Sequence, residues 1–378
     1  MLYTNFAGES ISALGLGMMR LPVIDGDDSK VDGPAVQAMV DYALEQGVNY
    51  FDTAWGYHNS ESELVAGRAL SRHPRDSYHL ASKFPGYDVS NFGKEKEIFE
   101  RQLEKCQTDH FDFYLMHNIN EGNIAQYLDD AGRYNTIEYF LGQKEAGRIR
   151  HLGFSVHGAF PTFREYMERY GVCMEFCQIQ HNYLDYEFQD SRAKIDYLQQ
   201  HGVGITIMEP LRGGNLVRLS DEQMGALERL RPGKSAVDWA FRYVMGTPGL
   251  VTVLSGMSNM DQLKDNIQIF DDDRLLSDEQ VEVLLGLGEE MANGTGVPCT
   301  ACHYCTPHCP QSLDIPELLR LYNENASREG GFIAPMRVHA MPEEQRPSAC
   351  IACGSCVEVC PQQIDIPAAL AELAEAVE

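Results

Sequence analysis

The sequence predicts an α/β chain: a (β/α)8 TIM barrel followed by a small α-helical module. Three observations carry this. Short β-like runs alternate with amphipathic helical stretches from about residue 14 to 270. The alternation occurs eight times, the number that closes such a barrel. Beyond residue 298, one cysteine pattern occurs twice.

The strand candidates are Gly15–Met19, Tyr50–Asp52, Tyr78–Lys83, Phe111–Met116, His151–Ser155, Cys177–Gln180, Gly204–Met208 and Val251–Leu254. Helical stretches such as PAVQAMVDYALEQ, SESELVAGRAL and SAVDWAFRYVM fall between them, with apolar residues at i, i+3, i+4. An open doubly wound sheet would want GxGxxG after the first strand; the chain offers only GLGMM. A helix at Asp261–Phe270 and the acidic helix SDEQVEVLLGLGEEM close the barrel region. Asn293–Pro298 is a hinge, so the expected domains are 1–292 and 297–378.

The chain has 378 residues, 44% of them hydrophobic, and a net charge of −26. That charge argues against nucleic acid and anionic membrane surfaces as partners. No run of eighteen apolar residues exists, so no spanning helix is expected. The first residues, MLYTNFAGES, lack a basic region followed by an apolar core, which points to the cytoplasm. Thiols stay reduced there, and clustered cysteines read as metal ligands. Cys106, Cys173 and Cys177 lie outside the pattern and read as small core residues.

Cys299, Cys302, Cys305 and Cys309 are spaced C-x2-C-x2-C-x3-C, followed by Pro310. Cys350, Cys353, Cys356 and Cys360 repeat the spacing, followed by Pro361. This is the ligand run of bacterial-type [4Fe-4S] clusters, whose fourth cysteine serves the other cluster. Cys299, Cys302, Cys305 and Cys360 are therefore assigned to one cluster, and Cys350, Cys353, Cys356 and Cys309 to the second. Zinc prefers separated C-x2-C pairs and one closed tetrahedron, which two triplets fit poorly. His303 and His308 read as neighbours of the first cluster or surface residues. Asp314/Asp365, Ile315/Ile366 and Pro316/Pro367 extend the 51-residue repeat, and PELLRLYNE and PAALAELAEA follow as helices. This is the layout of a two-cluster ferredoxin-like domain. Residues 328–348 read as a loop or linker between the copies.

Barrel chemistry comes from the carboxyl ends of strands. Asp52 closes NYFD, Tyr57 follows in DTAWGY, Lys83 closes YHLASK and His117 closes FDFYLMH. With GLGMMRLP, GRIRHLGFSVHG, CQIQHNYLD, MEPLRGGNL and LVTVLSGMSNMDQLKDN, these motifs make essentially the whole chain resemble the aldo-keto reductase family. The resemblance is to its members with a C-terminal two-cluster domain. It implies an oxidoreductase of the EC 1 class with a catalytic tetrad Asp52, Tyr57, Lys83 and His117. Tyr57 would be the general acid, its pKa lowered by Lys83, which Asp52 holds; His117 would orient the carbonyl or relay a proton.

The resemblance also implies a nicotinamide site. Ser155 and Gln178 match carboxamide contacts, and Met208 stands where relatives stack an aromatic residue; Val156 replaces an asparagine. Leu211 and Arg212 in EPLRGG fall on the phosphate stretch. Gly256, Ser258, Gln262, Asp265 and Asn266 match the adenosine end. Gly256 and Gln262 stand where relatives hold cations, so NADPH is expected to gain little over NADH. Trp55, Tyr87, Phe92, His157 and Tyr183 follow strand ends as pocket candidates.

Hydride transfer moves two electrons and each cluster one, a gap that a flavin usually bridges, although no flavin fingerprint is present; a bound flavin stays open. The favoured expectation is reversible reduction of a small-molecule carbonyl to an alcohol. In it the clusters exchange electrons with a ferredoxin or flavoprotein partner. Two alternatives remain: an ordinary NAD(P)H-dependent reductase with structural clusters, and an electron-transfer module with a vestigial barrel site.

Overall fold

The computed structural model of the chain describes residues 1–294, 296–297, 299, 305–326, 331–360 and 362–378. Cys302, His303, Pro298 and Pro361 lie outside the described residues, as does the start of the 328–348 segment. Two compact units form. One comprises Met1–Ile119 and Asn123–Val281, the other Asn120–Gly122 and Glu282–Glu378. Among the described residues, no helix is long and apolar enough to cross a membrane.

The first unit opens with an antiparallel hairpin, β1 (Tyr3–Phe6) and β2 (Glu9–Ser12), which the sequence reading did not anticipate. Ala7 and Gly8 form its two-residue turn, both at positive φ. Eight parallel strands follow: β3 (Leu14–Gly17), β4 (Tyr50–Asp52), β5 (His79–Phe84), β6 (Phe111–Ile119), β7 (Ile149–Val156), β8 (Phe176–Gln180), β9 (Gly204–Met208) and β10 (Leu250–Gly256). They pair in order, and β10 closes on β3. The strands are buried on both faces over most of their length, which is why they read as apolar runs rather than alternating ones.

Helices follow the strands, and side-chain caps fix several starts. Asp32 accepts from the Ala35 amide at 3.1 Å, Ser235 from Asp238 at 3.2 Å and Asn259 from Gln262 at 2.9 Å. Helices Ser62–Leu70 and Glu95–Cys106 meet at Gly67, where a Cβ would lie 2.2 Å from the Lys105 carbonyl oxygen.

The hairpin seals the amino end of the barrel. Phe6 packs on Phe113, His151 and Phe176 with ring centroids 5.8, 5.1 and 6.3 Å away. Thr4 Oγ1 donates to the Val251 carbonyl at 2.6 Å. Nearby, the buried Asp112 accepts from the Leu80 amide at 2.8 Å and from Arg75 at 2.6 Å, and pairs with Arg150 at 2.8 Å. It thereby pins β5, the strand that carries Lys83, to β6.

The second unit is built from the duplication. Its core joins Cys305, Leu313, Ile315, Leu318 and Leu319 to Cys356, Ile364, Ile366, Ala369 and Leu370. Each residue of the first set has its counterpart 51 positions later in the second. Helices Ile315–Ala326 and Ile366–Val377 supply most of it, each begun by an aspartate, Asp314 or Asp365. The linker expectation for 328–348 is corrected over its described part. Ile333–Ala340 is a helix, and Glu343–Gln345 and Pro347–Ala349 are 3-10 turns. Val338 and Ala334 bury against Leu321 and Leu373, which supplies the packing that PMRVHA does not advertise.

Burial pushes the Asp112 carboxyl up, but hydrogen bonds and the Arg75 guanidinium outweigh it and hold the pKa down to about 2. The stability this contributes is present above the unfolded carboxylate value of about 4 and is lost as pH falls toward about 2. Asp112→Asn should therefore lower the unfolding free energy by about 2–3 kcal/mol at neutral pH. Denaturant unfolding of both proteins down the pH scale checks this, because the gap between them should close below about pH 4.

Candidate active site

The tetrad expected from the sequence gathers at the carboxyl end of the barrel. Asp52 ends β4, Lys83 lies one residue from the end of β5 and His117 lies two residues from the end of β6. Lys83 is wholly buried, and its ammonium donates to Asp52 Oδ1 at 2.5 Å, the Thr53 carbonyl at 2.9 Å and Tyr57 Oη at 3.3 Å. A buried charge is tolerable only when paired and hydrogen-bonded like this. The His117 ring stands edge-on to Tyr57 and Tyr87, with centroids 6.0 and 5.2 Å away. Asp52 Oδ2 and His117 Nδ1 have no hydrogen-bond partner among the described residues.

The electrostatics depart from the expectation at Tyr57. Burial raises the phenol's pKa, and the Lys83 ammonium only offsets part of that, so the net shift is up rather than down. Burial pulls Lys83 down, but the Asp52 carboxylate beside it pushes it above its ordinary value, so it stays charged. Burial, with Lys83 and His157 adding repulsion, drives His117 well below its ordinary value, so it is neutral at pH 7.

The backbone after Tyr57 is unusual. His58, Asn59 and Ser60 all have positive φ, of 52°, 51° and 74°. Such a run persists only where the surroundings hold it. His58 supplies the hold: its Nε2 accepts from the Leu21 amide at 3.0 Å, and its Nδ1 faces the Asp28 carbonyl at 3.1 Å. Behind Lys83, Gln102 donates to the Lys83 carbonyl at 2.9 Å and to Glu63 at 2.7 Å, and accepts from Tyr114 at 2.6 Å. Single residues such as His58 and Gln102 carry no motif, so their part was not legible in the sequence.

The cofactor candidates divide. Ser155 Oγ accepts from the Asn118 amide at 2.8 Å, and Gln178 Nε2 approaches Met208 Sδ at 3.5 Å. Gln178 Oε1 has no partner among the described residues. Gly256 and Ser258 lie against Arg20, and Gln262 joins them through Ser258. The Ser258 hydroxyl donates to the Arg20 carbonyl at 2.9 Å, and the Ser258 amide donates to Gln262 Oε1 at 2.8 Å. Asn266 turns inward to Ser255 Oγ at 3.1 Å, and Asp265 is exposed on helix Met260–Ile269. Leu211 is half-buried in the turn after β9. Arg212, expected at the phosphates, has its guanidinium buried against Asp185 at 3.1 Å and over the Phe188 ring. Of the pocket candidates, Tyr87 reaches His117, whereas Phe92 packs on Phe84, Tyr127 and Tyr134 as core. Tyr183 is buried, and Trp55 lies under the Lys105 ammonium at 4.1 Å.

In the second unit, Cys309, Cys350, Cys353 and Cys356 line one small cavity with Leu313, Ile315 and Leu370. Cys299, Cys305 and Cys360 pack on the same core, and His308 is exposed.

A closed parallel barrel whose mouth gathers a buried lysine, an aspartate, a tyrosine and a histidine defines an oxidoreductase class. The model of the Aldo/keto reductase family matches residues 13–287, and a 4Fe-4S dicluster domain matches 298–364. The chain belongs to the aldo/keto reductase family and carries a 4Fe-4S dicluster domain at its C-terminal end. It is 25% identical to the uncharacterized oxidoreductase YqkF of Bacillus subtilis over 72% of this chain and 92% of that protein. It is 27% identical to the L-galactose dehydrogenase of Arabidopsis thaliana over 69% of this chain and 84% of that protein. The solved structure of the aldo-keto reductase AKR11C1 from Bacillus halodurans, in its holo form, matches with a TM-score of 0.61 at 25% identity. It covers 76% of this chain and 96% of that one. In fold, the chain also resembles a Klebsiella pneumoniae aldo-keto reductase solved in complex with NADPH, with a TM-score of 0.57 at 22% identity over 76% of this chain and 95% of that one.

Asp52→Asn keeps the shape of the site but leaves the Lys83 ammonium without its counter-charge. The expected cost is about 3–5 kcal/mol of unfolding free energy at neutral pH. Denaturant titration measures it, and a loss under about 1 kcal/mol would mean that the Thr53 carbonyl alone suffices.

Proposed function

We propose that the barrel reversibly reduces a small-molecule carbonyl to an alcohol with Tyr57 as general acid. In the same reading the C-terminal domain holds two [4Fe-4S] clusters that exchange electrons with a ferredoxin or flavoprotein. The observation that carries the first part is the buried Lys83 ammonium set between Asp52 Oδ1 at 2.5 Å and Tyr57 Oη at 3.3 Å. A bound dihydronicotinamide supplies the hydride. Tyr57 gives its proton to the carbonyl oxygen, and the phenolate left behind faces Lys83, which stabilises it. Neutral His117 offers one ring nitrogen to the same oxygen without competing for the proton. The unpartnered Gln178 Oε1 suits an amide N–H donor such as a carboxamide, which favours a nicotinamide cofactor.

The ligand set Cys350/Cys353/Cys356/Cys309 is supported by the cavity that these four share, and the spacing of the motif assigns Cys299, Cys302, Cys305 and Cys360 to the other cluster. The cavity takes its fourth thiol from the other copy of the motif, as interleaved cluster ligation requires. As thiolates these cysteines would hold the cubes, and the cubes would supply single-electron transfer.

Tyr57→Phe keeps the ring and removes the proton. Carbonyl reduction across an aldehyde panel should fall by roughly 10²–10⁴-fold, with dinucleotide binding little changed. Because burial raises the phenol, reduction by the native enzyme should hold steady through neutral pH and decline only above the ordinary phenol value of about 10. Full activity in the variant would refute the assignment. Anaerobically purified protein should carry about eight iron and eight acid-labile sulfide per chain. Bound zinc without sulfide would overturn the cluster reading.

A further inference from the structure

The neutral residues Gly256 and Gln262 leave the adenosine end without the cations expected there, yet a cation does occupy that space. Arg20 follows β3 and lays its stem along Gly256. A Cβ at Gly256 would lie only 3.0–3.1 Å from Arg20 Cβ, Cγ and Cδ. The exposed Gly256 therefore makes room for a basic side chain from another strand. The Ser258 hydroxyl, donating to the Arg20 carbonyl at 2.9 Å, ties the loop after β10 to the same residue.

The Arg20 guanidinium is not simply free to meet a phosphate. It lies 3.6 Å from Glu209, with the arginine side chain 46% exposed and the glutamate 13%. Glu209 directly follows Met208 at the carboxyl end of β9. Its backbone is left-handed, with φ of 57°. Two donors to its carbonyl fix that turn: Asn182 Nδ2 at 2.9 Å and the Arg212 amide at 3.0 Å. Asn182 in turn donates to Asp185 at 2.6 Å, the partner of Arg212. A network of buried polar groups thus holds a carboxylate in the barrel mouth, close enough to Tyr57 to oppose its ionisation. A carboxylate repels the polyanion that this groove is read to receive.

We propose that Arg20 is the cation that takes a dinucleotide phosphate in this groove, and that Glu209 is its built-in competitor. Binding exchanges one anion on Arg20 for another, so the groove holds dinucleotides loosely and Glu209 sets how loosely. The proposal rests on the dinucleotide reading of the previous section and names the residues that tune it.

The pair behaves differently from a structural ion pair. If Arg20 and Glu209 only braced the groove, losing either would weaken binding. If they compete, losing each moves affinity in opposite directions. Dissociation constants for NADH and NADPH, measured by fluorescence titration on the cluster-loaded full chain, separate these cases. Glu209→Gln should bind about tenfold tighter, and Arg20→Gln about tenfold weaker. Arg20→Lys should keep part of the affinity and guards against a folding defect. Equal effects on both dinucleotides assign Arg20 to the shared pyrophosphate. An effect on NADPH alone assigns it to the 2′-phosphate. Native protein that binds while Glu209→Gln binds no tighter overturns the competition. Failure of all the forms to bind either dinucleotide overturns the dinucleotide reading, and this proposal with it.

Discussion

A single buried ammonium organises the barrel mouth. Lys83 has no exposed surface, so its charge must be met from within. Asp52, the Thr53 carbonyl and Tyr57 meet it, and all three come from β4 and the loop after it. The geometry therefore survives only if β4 and β5 keep their register. Tyr50 opposite His79 and Asp52 opposite Ala81 set that register, while Asp112 on β6 holds β5 from its other side through the Leu80 amide. The left-handed run after Tyr57 and the Gln102 network behind Lys83 serve the same charge. They spend backbone strain and buried hydrogen bonds to keep the phenol beside the ammonium.

Much of this was legible in the sequence, for physical reasons. Parallel strands buried on both faces leave continuous apolar runs, so all eight barrel strands could be read within a few residues. Residues at strand ends stand out as polar ends of apolar runs, which is how Asp52, Lys83 and His117 were found. Contacts between distant segments were not legible. The burial of Arg212 on Asp185 could not be read, because that partner lies a full strand–helix unit earlier. Arg20 and Glu209 meet only once β3 and β9 flank β10. The shift at Tyr57 was misjudged because the sequence shows the lysine but not the burial. Helix Ile333–Ala340 carries Pro335 near its start and lacks a clean period, and only packing on Leu321 and Leu373 makes it a helix.

The second unit shows what duplication does for a small domain. Five pairs of residues, 51 positions apart, meet in one core. The core draws equally on both copies, so each half completes the other. The cavity shared by Cys309 with Cys350, Cys353 and Cys356 follows from the same interleaving. Damage to one half is therefore felt across the whole unit.

The amino-terminal hairpin has a consequence for the order in which the chain is assembled. Its partners are among the last residues of the barrel to be made: Thr4 binds the Val251 carbonyl, the Leu2 amide binds the Phe270 carbonyl, and the amino terminus pairs with Asp271. At about 5–20 residues per second of synthesis, the hairpin waits roughly 10–50 s for these partners to leave the ribosome. Throughout that interval Phe6 lacks the pocket of Phe113 and Phe176 in its finished form. The hairpin is thus seated only after the last barrel strand has been made. Until then the nascent chain carries an unsheltered aromatic wedge, the kind of surface that chaperones screen and that slow, long-range barrel closure makes dangerous.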